Sequence, residues 1–375
     1  MIAAETGARV AIIVMGGRDG THSVGHYGPI AVIRLPGSRR RGTATNYLIE
    51  YVDFLLKAGA LIRRDHRFRH ARIYHVHSLP DFLVAATRSA RRFGARVILD
   101  LHEAFPEFTR SKFSGWKGRW GERLALRLER WSRRQADVVL TVNHAVAELL
   151  VSRPAKRAER VLVVHNFADP GEFGERRMSQ GDLGDITRLV YHGTLTPLYG
   201  LDLAIEGVRQ AHTNGIAVQF DIYGDGPARE RLRQQIASHH AGGYVRLCGV
   251  VPHHQLRETL TRYDAGLVPT RLDRMTRFSL STKLVEYIHL GLPILLPSIP
   301  TYLRYFPNDT AWYFEPNSGT AISDAIARFV GATPAERVRR AEGAQLASMR
   351  ELNPDRDAAA LKNLYEQLLG PIQDR

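Results

Sequence analysis

The chain has 375 residues, 44% hydrophobic and 24% charged, with a formal net charge of +14. The length exceeds one typical core and predicts two domains, and the balanced composition excludes a disordered or low-complexity chain. One cysteine, Cys248, excludes an internal disulfide and suits a reducing compartment. No apolar run approaches the roughly 20 residues that span a bilayer, and residues 10–15 are too short for a secretion signal, so a cytoplasmic setting is expected.

Taken in order, residues 8–15 (ARVAIIVM) read as a buried strand. Gly16 and Gly17 follow and would let a ligand approach the backbone, although their spacing is not a dinucleotide-binding fingerprint. Strand-like runs recur at 30–35, 72–77, 96–101, 136–142 and 160–165, separated by helical patterns at 43–60, 80–93, 120–135 and 145–151. This alternation predicts a parallel sheet covered on both faces. Residues 167–187 are rich in Gly, Asp and Arg and read as a linker, which divides the chain into 1–168 and 169–355. Strands are then expected at 189–192, 218–223, 245–248, 265–268, 294–296 and 311–314. Helices are expected at 201–212, 228–239, 255–263, 282–290, 301–306, 319–331, 334–350 and 356–369. Two doubly wound α/β halves follow, with ligands beyond the carboxyl ends of their strands.

The stretch from Ser279 to Pro293 (SLSTKLVEYIHLGLP) carries the strongest chemical signal. Ser279, Ser281 and Thr282 are candidate caps for a helix with Leu284, Val285, Ile288 and Leu292 on its apolar face, and Gly291 and Pro293 end it. A helix start offers unpaired N–H groups and a positive dipole end, which suit a phosphate; Lys283 in the first turn adds a full charge. Glu286, three residues on, shares that face and can accept hydrogen bonds from a ribose diol. An ordinary capped amphipathic helix is the competing reading. Gly193 with Thr194, and Gly224 with Asp225, are either backbone approaches to the same ligand or plain strand-to-helix turns. His102 closes a strand, where an imidazole can meet a reacting centre. His75 and His77 share one face of another strand, but spacing places no third ligand beside them. No Asp-x-Asp pair offers to chelate an ion beside a diphosphate, so no metal is expected.

The charge is uneven. Residues 1–168 hold 29 Lys and Arg against 14 Asp and Glu, a net of +15, while residues 169–375 hold 23 against 24, a net of −1. The first half therefore calls for an anionic partner. Between Arg110 and Arg134, Trp116, Trp120, Leu124, Leu128 and Trp131 recur at three- and four-residue steps among basic residues, a pattern for lying on an anionic membrane surface. Packing of Leu124, Leu128 and Trp131 on a sheet is the alternative. No nucleic-acid reading motif accompanies the arginines, so nucleic acid is not expected.

These segments together resemble glycosyltransferase family four, enzymes of the GT-B fold. In the second half the likeness rests on YHGTLTPLYGLDLAIEG (191–207), FDIYGDGP (220–227), VRLCGVVPHHQLRETLTRYDAGLVPT (245–270) and STKLVEYIHLGLPILLP (281–297). In the first half it rests on VILDLHEAFPEF (97–108) and VLVVHNFAD (161–169). The resemblance implies a retaining, metal-independent transfer of a sugar from a nucleotide diphosphate to a glycan or lipid-linked glycan. It implies Lys283 and the N–H groups near Ser281 and Thr282 on the diphosphate, Glu286 on the ribose, and Val250 in the segment bordering the base. His102 would lie by the sugar and the acceptor hydroxyl, Gly16 and Gly17 would let the first loop close over the donor, and a last helix, about 356–370, would cross back onto the first domain. Three positions depart from the family pattern: Thr194 where Arg is common, Tyr199 where Lys is common, and Phe278 in place of the first of two Glu. Arg274 or Arg277 could restore part of the lost charge. A nucleotide-sugar epimerase of similar fold would need an acid/base carboxylate pair that the sequence does not offer. A degenerate scaffold that binds membrane or glycan is the rival that the three departures motivate.

Overall fold

The computed structural model describes residues 8–16, 23–37, 44–112, 115–156, 159–179 and 181–370. The chain forms two units, Met1–Val164 with Asp355–Arg375, and His165–Pro354.

The second unit is built on one all-parallel sheet. Its strands are β8 (Thr187–His192), β9 (Val218–Tyr223), β10 (Val245–Gly249), β11 (Ala265–Leu267), β12 (Ile294–Pro297) and β13 (Trp312–Phe314), in the order β10-β9-β8-β11-β12-β13. Their near-continuous apolar runs follow from burial on both faces. Leu189 and Tyr191 of β8 and Leu295 of β12 join one core with the helices Leu201–Thr213 and Gly319–Gly331. Val190, Ile294 and Leu296 point the other way, into a core shared with the helices Thr282–His289, Pro300–Tyr305 and Pro334–Glu351. The chain winds outward from β8 to β9 and β10, then returns to place β11 on the other side of β8. The carboxyl end of β8 is therefore the topological switch point, where open α/β sheets bind ligands.

The first half does not form the single parallel sheet its alternation predicts. β1 (Ala11–Met15) pairs parallel with β3 (Ile30–Leu35), whose other edge takes the antiparallel β2 (Ser23–Tyr27). β2 reads SVGHY and lacks an apolar run, and three of its five residues are exposed, so periodicity does not reveal it. A two-residue turn joins it to β3, with Gly28 at φ +55°. A separate four-stranded parallel sheet has the order β4 (Ile73–His77), β5 (Arg96–Leu101), β6 (Val138–Thr141) and β7 (Val161–Val163). The last helix, Pro354–Leu369, packs Leu361, Leu364, Tyr365 and Leu368 against Ile98, Val138 and Leu140 of that sheet.

The helix expected at 80–93 is a 3-10 segment, Asp81–Thr87, continued by the short helix Arg88–Arg91. Its buried residues Asp81, Val84 and Thr87 repeat every three positions, the 3-10 period. The basic stretch forms the helices Phe105–Lys112 and Gly115–Gln135. Leu128 and Trp131 are half-buried, whereas Trp120 and Leu124 are 61% and 57% exposed. Arg133, fully buried, places all five of its N–H donors: two on Glu159, one on Glu129, and one each on the carbonyls of Leu150 and Arg153. That end of the stretch is core. The side chain of Trp116 lies outside the described residues.

Asp81 neighbours this network without a share in it. It is 2% exposed, and neither carboxylate oxygen has a hydrogen-bond partner. Burial, reinforced by Glu129 and only partly opposed by Arg133 and Arg153, pushes its pKa up to about 7. The folded chain thus binds more protons at Asp81 than the unfolded chain between the ordinary value of 3.8 and about 7. Stability falls as pH rises through that window, and the full cost stands above it. Asp81→Asn is expected to raise thermal stability at pH 8, by about 1–3 kcal/mol, with the gain gone at pH 4. Melting curves of both proteins across that range decide it; a gain that does not change with pH would refute the titration of Asp81.

Candidate active site

The switch point of the second unit is lined by backbone before any side chain is considered. Gly193, directly after β8, has φ +124°, and Gly224, directly after β9, has φ +137°. A Cβ on Gly224 would lie 1.9 Å from the Gly193 carbonyl oxygen, so the two turns pack backbone on backbone. Gly193 N–H donates to the Tyr223 carbonyl at 2.9 Å, and Leu195 N–H to that of Asp225 at 3.0 Å. A Cβ on Gly193 would lie 2.6 Å from Lys283 Cε. The glycine thus leaves the space that the lysine stem fills.

Lys283 is 8% exposed, and no carboxylate lies in ion-pair range of its ammonium among the described residues. Its Nζ stands 4.2 Å from the Tyr199 ring centroid and 5.5 Å from that of Tyr191, so two aromatic faces partly compensate the lost hydration. Burial pushes its pKa down to about 8, and Glu286 opposes the shift. Glu286 lies one turn along the same helix, with 15% of its side chain exposed. Its Oε2 is 2.9 Å from His192 Nε2, the last residue of β8. The approach lacks hydrogen-bond alignment, and both atoms are buried without a hydrogen-bond partner. His192 is held by its own N–H, which donates to the Tyr287 hydroxyl at 3.1 Å.

The structure therefore brings Gly193, Gly224, Lys283 and Glu286 together and adds His192, Tyr191 and Tyr199 to them. His192 was readable as the strand-end residue before a glycine turn. Tyr199 forms a wall beside Lys283. Ser281 is the N-cap of the helix Thr282–His289 but makes no side-chain cap bond. The Ser279 hydroxyl donates to the Met275 carbonyl at 3.4 Å, and Thr282 is exposed. The expected side-chain capping is thus replaced by an N-terminus whose amides no side chain covers. Thr194 is exposed, and its carbonyl accepts from the Tyr191 hydroxyl. Asp225 is also exposed, and its carboxylate accepts from Gly226 N–H and lies 3.6 Å from Arg229. Val250 is 70% exposed beyond the edge strand β10. The Arg277 guanidinium sits 5.4 Å from the Phe278 ring; Arg274 is exposed.

In the first unit, Gly16 is buried and its N–H extends the β1–β3 ladder to the Leu35 carbonyl, so it serves the sheet. Gly17 lies outside the described residues. His102 follows β5 with 41% of its side chain exposed. Its Nε2 lies 3.5 Å from Asp100 Oδ2 and 3.1 Å from His77 Nδ1. The nearby Asp100 carboxylate holds the His102 pKa above the ordinary imidazole value. Asp100 is the register partner of His77, and its Oδ2 also lies 3.2 Å from His75 Nε2. Sequence spacing placed no third group beside His75 and His77; strand pairing supplies two.

A family model described as Glycosyltransferase Family 4 matches residues 3–172, and one described as Glycosyl transferases group 1 matches residues 186–331. The chain belongs to the family-four glycosyltransferases, and its two Rossmann-like units are those of the GT-B fold. It is 26% identical over 201 residues to WcaL of Escherichia coli (strain K12), named for colanic acid biosynthesis, covering 52% of this chain and 48% of the relative. The chain spans about half the length of the curated relatives it matches. Among solved structures, sucrose-phosphate synthase of Thermosynechococcus elongatus superposes with a TM-score of 0.76 at 16% identity, over 98% of this chain and 91% of that one. HepE of Anabaena in complex with UDP gives 0.65 at 13% identity, over 90% and 86%.

A buried ammonium without a carboxylate partner costs stability when no anion is bound. Because the folded pKa of Lys283, about 8, lies below its ordinary 10.5, the unfolded chain binds more protons between those values, and stability rises with pH through that window. Lys283→Met is expected to be more stable than the parent at pH 7 by about 1–3 kcal/mol, with the gap closing toward pH 10. Parallel urea titrations at the two pH values measure it; a less stable Lys283→Met protein at pH 7 would show that the aromatic faces outweigh the desolvation.

Proposed function

We propose that this protein transfers a sugar, with retention of configuration, from a nucleotide-diphosphate sugar to a glycan or lipid-linked glycan acceptor. The observation that carries the reading is the meeting of two incomplete groups at the switch point: a buried Lys283 ammonium without a carboxylate, and a buried Glu286 oxygen without a hydrogen-bond donor. A diphosphate would complete the first and a ribose hydroxyl the second. The uncovered amides at Ser281 and Thr282 would share the diphosphate charge. No divalent ion is required at the diphosphate in this reading. Catalysis would rest on positioning and on stabilising the departing diphosphate, with His102 beside the sugar and the acceptor hydroxyl. Relatives named for colanic acid biosynthesis and a neighbour of similar fold with bound UDP support the donor and acceptor classes.

Among the described residues, no helix is long and apolar enough to cross a membrane. We place the protein on the cytoplasmic face of a membrane, held by the helix Gly115–Gln135. Its exposed Trp120 and Leu124 stand beside Arg119, Arg123 and Arg127, with the Arg123 guanidinium 5.7 Å from the Trp120 ring.

The donor is tested by melting curves with UDP-, GDP- and ADP-sugars. One nucleotide class should stabilise the parent, by roughly 2.7 kcal/mol at a hundredfold excess over Kd, and should leave Glu286→Ala unmoved. If none stabilises the parent, with or without magnesium, the donor reading fails and the scaffold reading replaces it. For the membrane, sedimentation with phosphatidylserine vesicles should fall about tenfold on replacing Trp120 and Leu124 by Ala; unchanged sedimentation would remove the helix from the account.

A further inference from the structure

Four side chains of the first unit converge on one point at the carboxyl ends of β4 and β5. His75 and His77 stand two residues apart on β4, Asp100 is the register partner of His77 on β5, and His102 follows two residues later. Asp100 Oδ2 lies 3.2 Å from His75 Nε2, 3.1 Å from His77 Nδ1 and 3.5 Å from His102 Nε2; His77 Nδ1 and His102 Nε2 are 3.1 Å apart. The donor atoms of His75, His77 and Asp100 all fall within 4.8 Å of one another.

Two hydrogen bonds fit this arrangement, His75 Nε2 with Asp100 Oδ2 and His77 Nδ1 with His102 Nε2, and they leave that carboxylate oxygen facing two further ring nitrogens at 3.1 and 3.5 Å. Three ring nitrogens face a single carboxylate oxygen, and two of them also face each other. A neutral imidazole carries one N–H. His75 has its Nδ1 2.8 Å from the Tyr365 hydroxyl on the last helix. If that Nδ1 is the donor, Nε2 turns a lone pair toward the carboxylate. Protonating every ring leaves two N–H groups pointing at each other between His77 and His102. One cation at the centre would answer all four contacts at once. Zinc binds nitrogen and oxygen ligands at about 2.0–2.2 Å, and a tetrahedron with such arms has edges of about 3.3–3.6 Å. Four of the six edges, 3.1, 3.2, 3.5 and 3.1 Å, are close to these values, and a fifth, His75 to His77, is within 4.8 Å. The contact from Tyr365 to the far nitrogen of His75 is the outer support that fixes a metal-binding tautomer.

We propose that His75 Nε2, His77 Nδ1, Asp100 Oδ2 and His102 Nε2 bind one divalent transition ion of the zinc class. Three imidazoles and a carboxylate select such an ion over magnesium or calcium, which prefer all-oxygen shells. An ion here would take the His102 nitrogen that the transfer reading places by the sugar, so added zinc is expected to inhibit transfer; that consequence rests on the transfer reading, whereas binding itself does not.

Binding is measured on the untagged full chain, treated with chelator and titrated with Zn2+ by calorimetry, and with Co2+ by visible absorption. The expected result is one equivalent per chain and an intense tetrahedral cobalt spectrum. His77→Ala and His102→Ala, whose side chains are 60% and 41% exposed and so removable without unfolding, should each weaken binding at least tenfold. Tyr365→Phe should weaken it about tenfold with the stoichiometry kept. Metal-free melting curves of the variants confirm that they fold. Absence of binding to the parent overturns the proposal. So does binding that survives intact in the His77→Ala/His102→Ala double variant, which would assign the metal to surface histidines such as His253 and His254. Zinc binding without inhibition would leave the site standing and count against His102 in transfer.

Discussion

The second unit depends on the absence of two side chains. With Cβ atoms excluded at Gly193 and Gly224, the turns after β8 and β9 close on each other and open a channel that the Lys283 stem fills. A Cβ at Gly224 would clash with backbone, and one at Gly193 would displace the lysine itself. Placing the lysine there strips most of its hydration, and two tyrosine rings replace part of it. The helix that carries it is anchored on its other side by Leu284, Val285, Tyr287 and Ile288, so the ammonium cannot retreat to solvent without disturbing the core. A rigid scaffold thus holds an unneutralised charge at the end of its sheet.

The excess charge of the first half is not all available to a partner. Arg133 is spent inside, on two carboxylates and two carbonyls, and Arg153 bridges Glu107 and Glu129. Together they fasten the long basic helix at its carboxyl end. What remains outward is the portion around Trp120 and Leu124, where apolar and basic groups share one exposed surface. A count of lysine and arginine therefore overstates the field that an anionic surface would meet.

Most of the fold was legible because buried parallel strands advertise themselves. LVYH, FDIY and ILLP are apolar runs bounded by glycine or proline, and each became the strand it suggested. β2 was not legible, because a half-exposed edge strand carries little apolar signal, and the 3-10 segment was read as a helix because its three-residue period resembles the helical one over so short a span. Lys283 and Glu286 were legible from local spacing on one helix, since residues three apart share a face in any α-helix. His192 and Asp100 were harder. Each acts through a contact across the fold, with Glu286 94 positions away in one case and with His75 25 positions away in the other, and no local period encodes strand register.

Satisfaction of polar groups separates what holds this protein together from what equips it to act. Arg133 is buried and complete: each of its own donors has an acceptor, and its removal would leave charged groups stranded. Such a group has nothing left to offer a ligand. At the end of β8 and at the ends of β4 and β5 the pattern inverts. Among the described residues Lys283 lacks a carboxylate, Glu286 and His192 meet without a proper hydrogen bond, and three imidazoles crowd one oxygen. These incomplete groups sit where strands stop and backbone turns leave space, not where cores need rigidity. Their deficits are also chemically different. An anion with hydroxyl donors, as a sugar nucleotide would bring, would answer the second unit, whereas a compact cation would answer the first. The two units would therefore present opposite demands, and the sign of the charge each leaves unanswered, more than its sheet order, points to the ligand it would take.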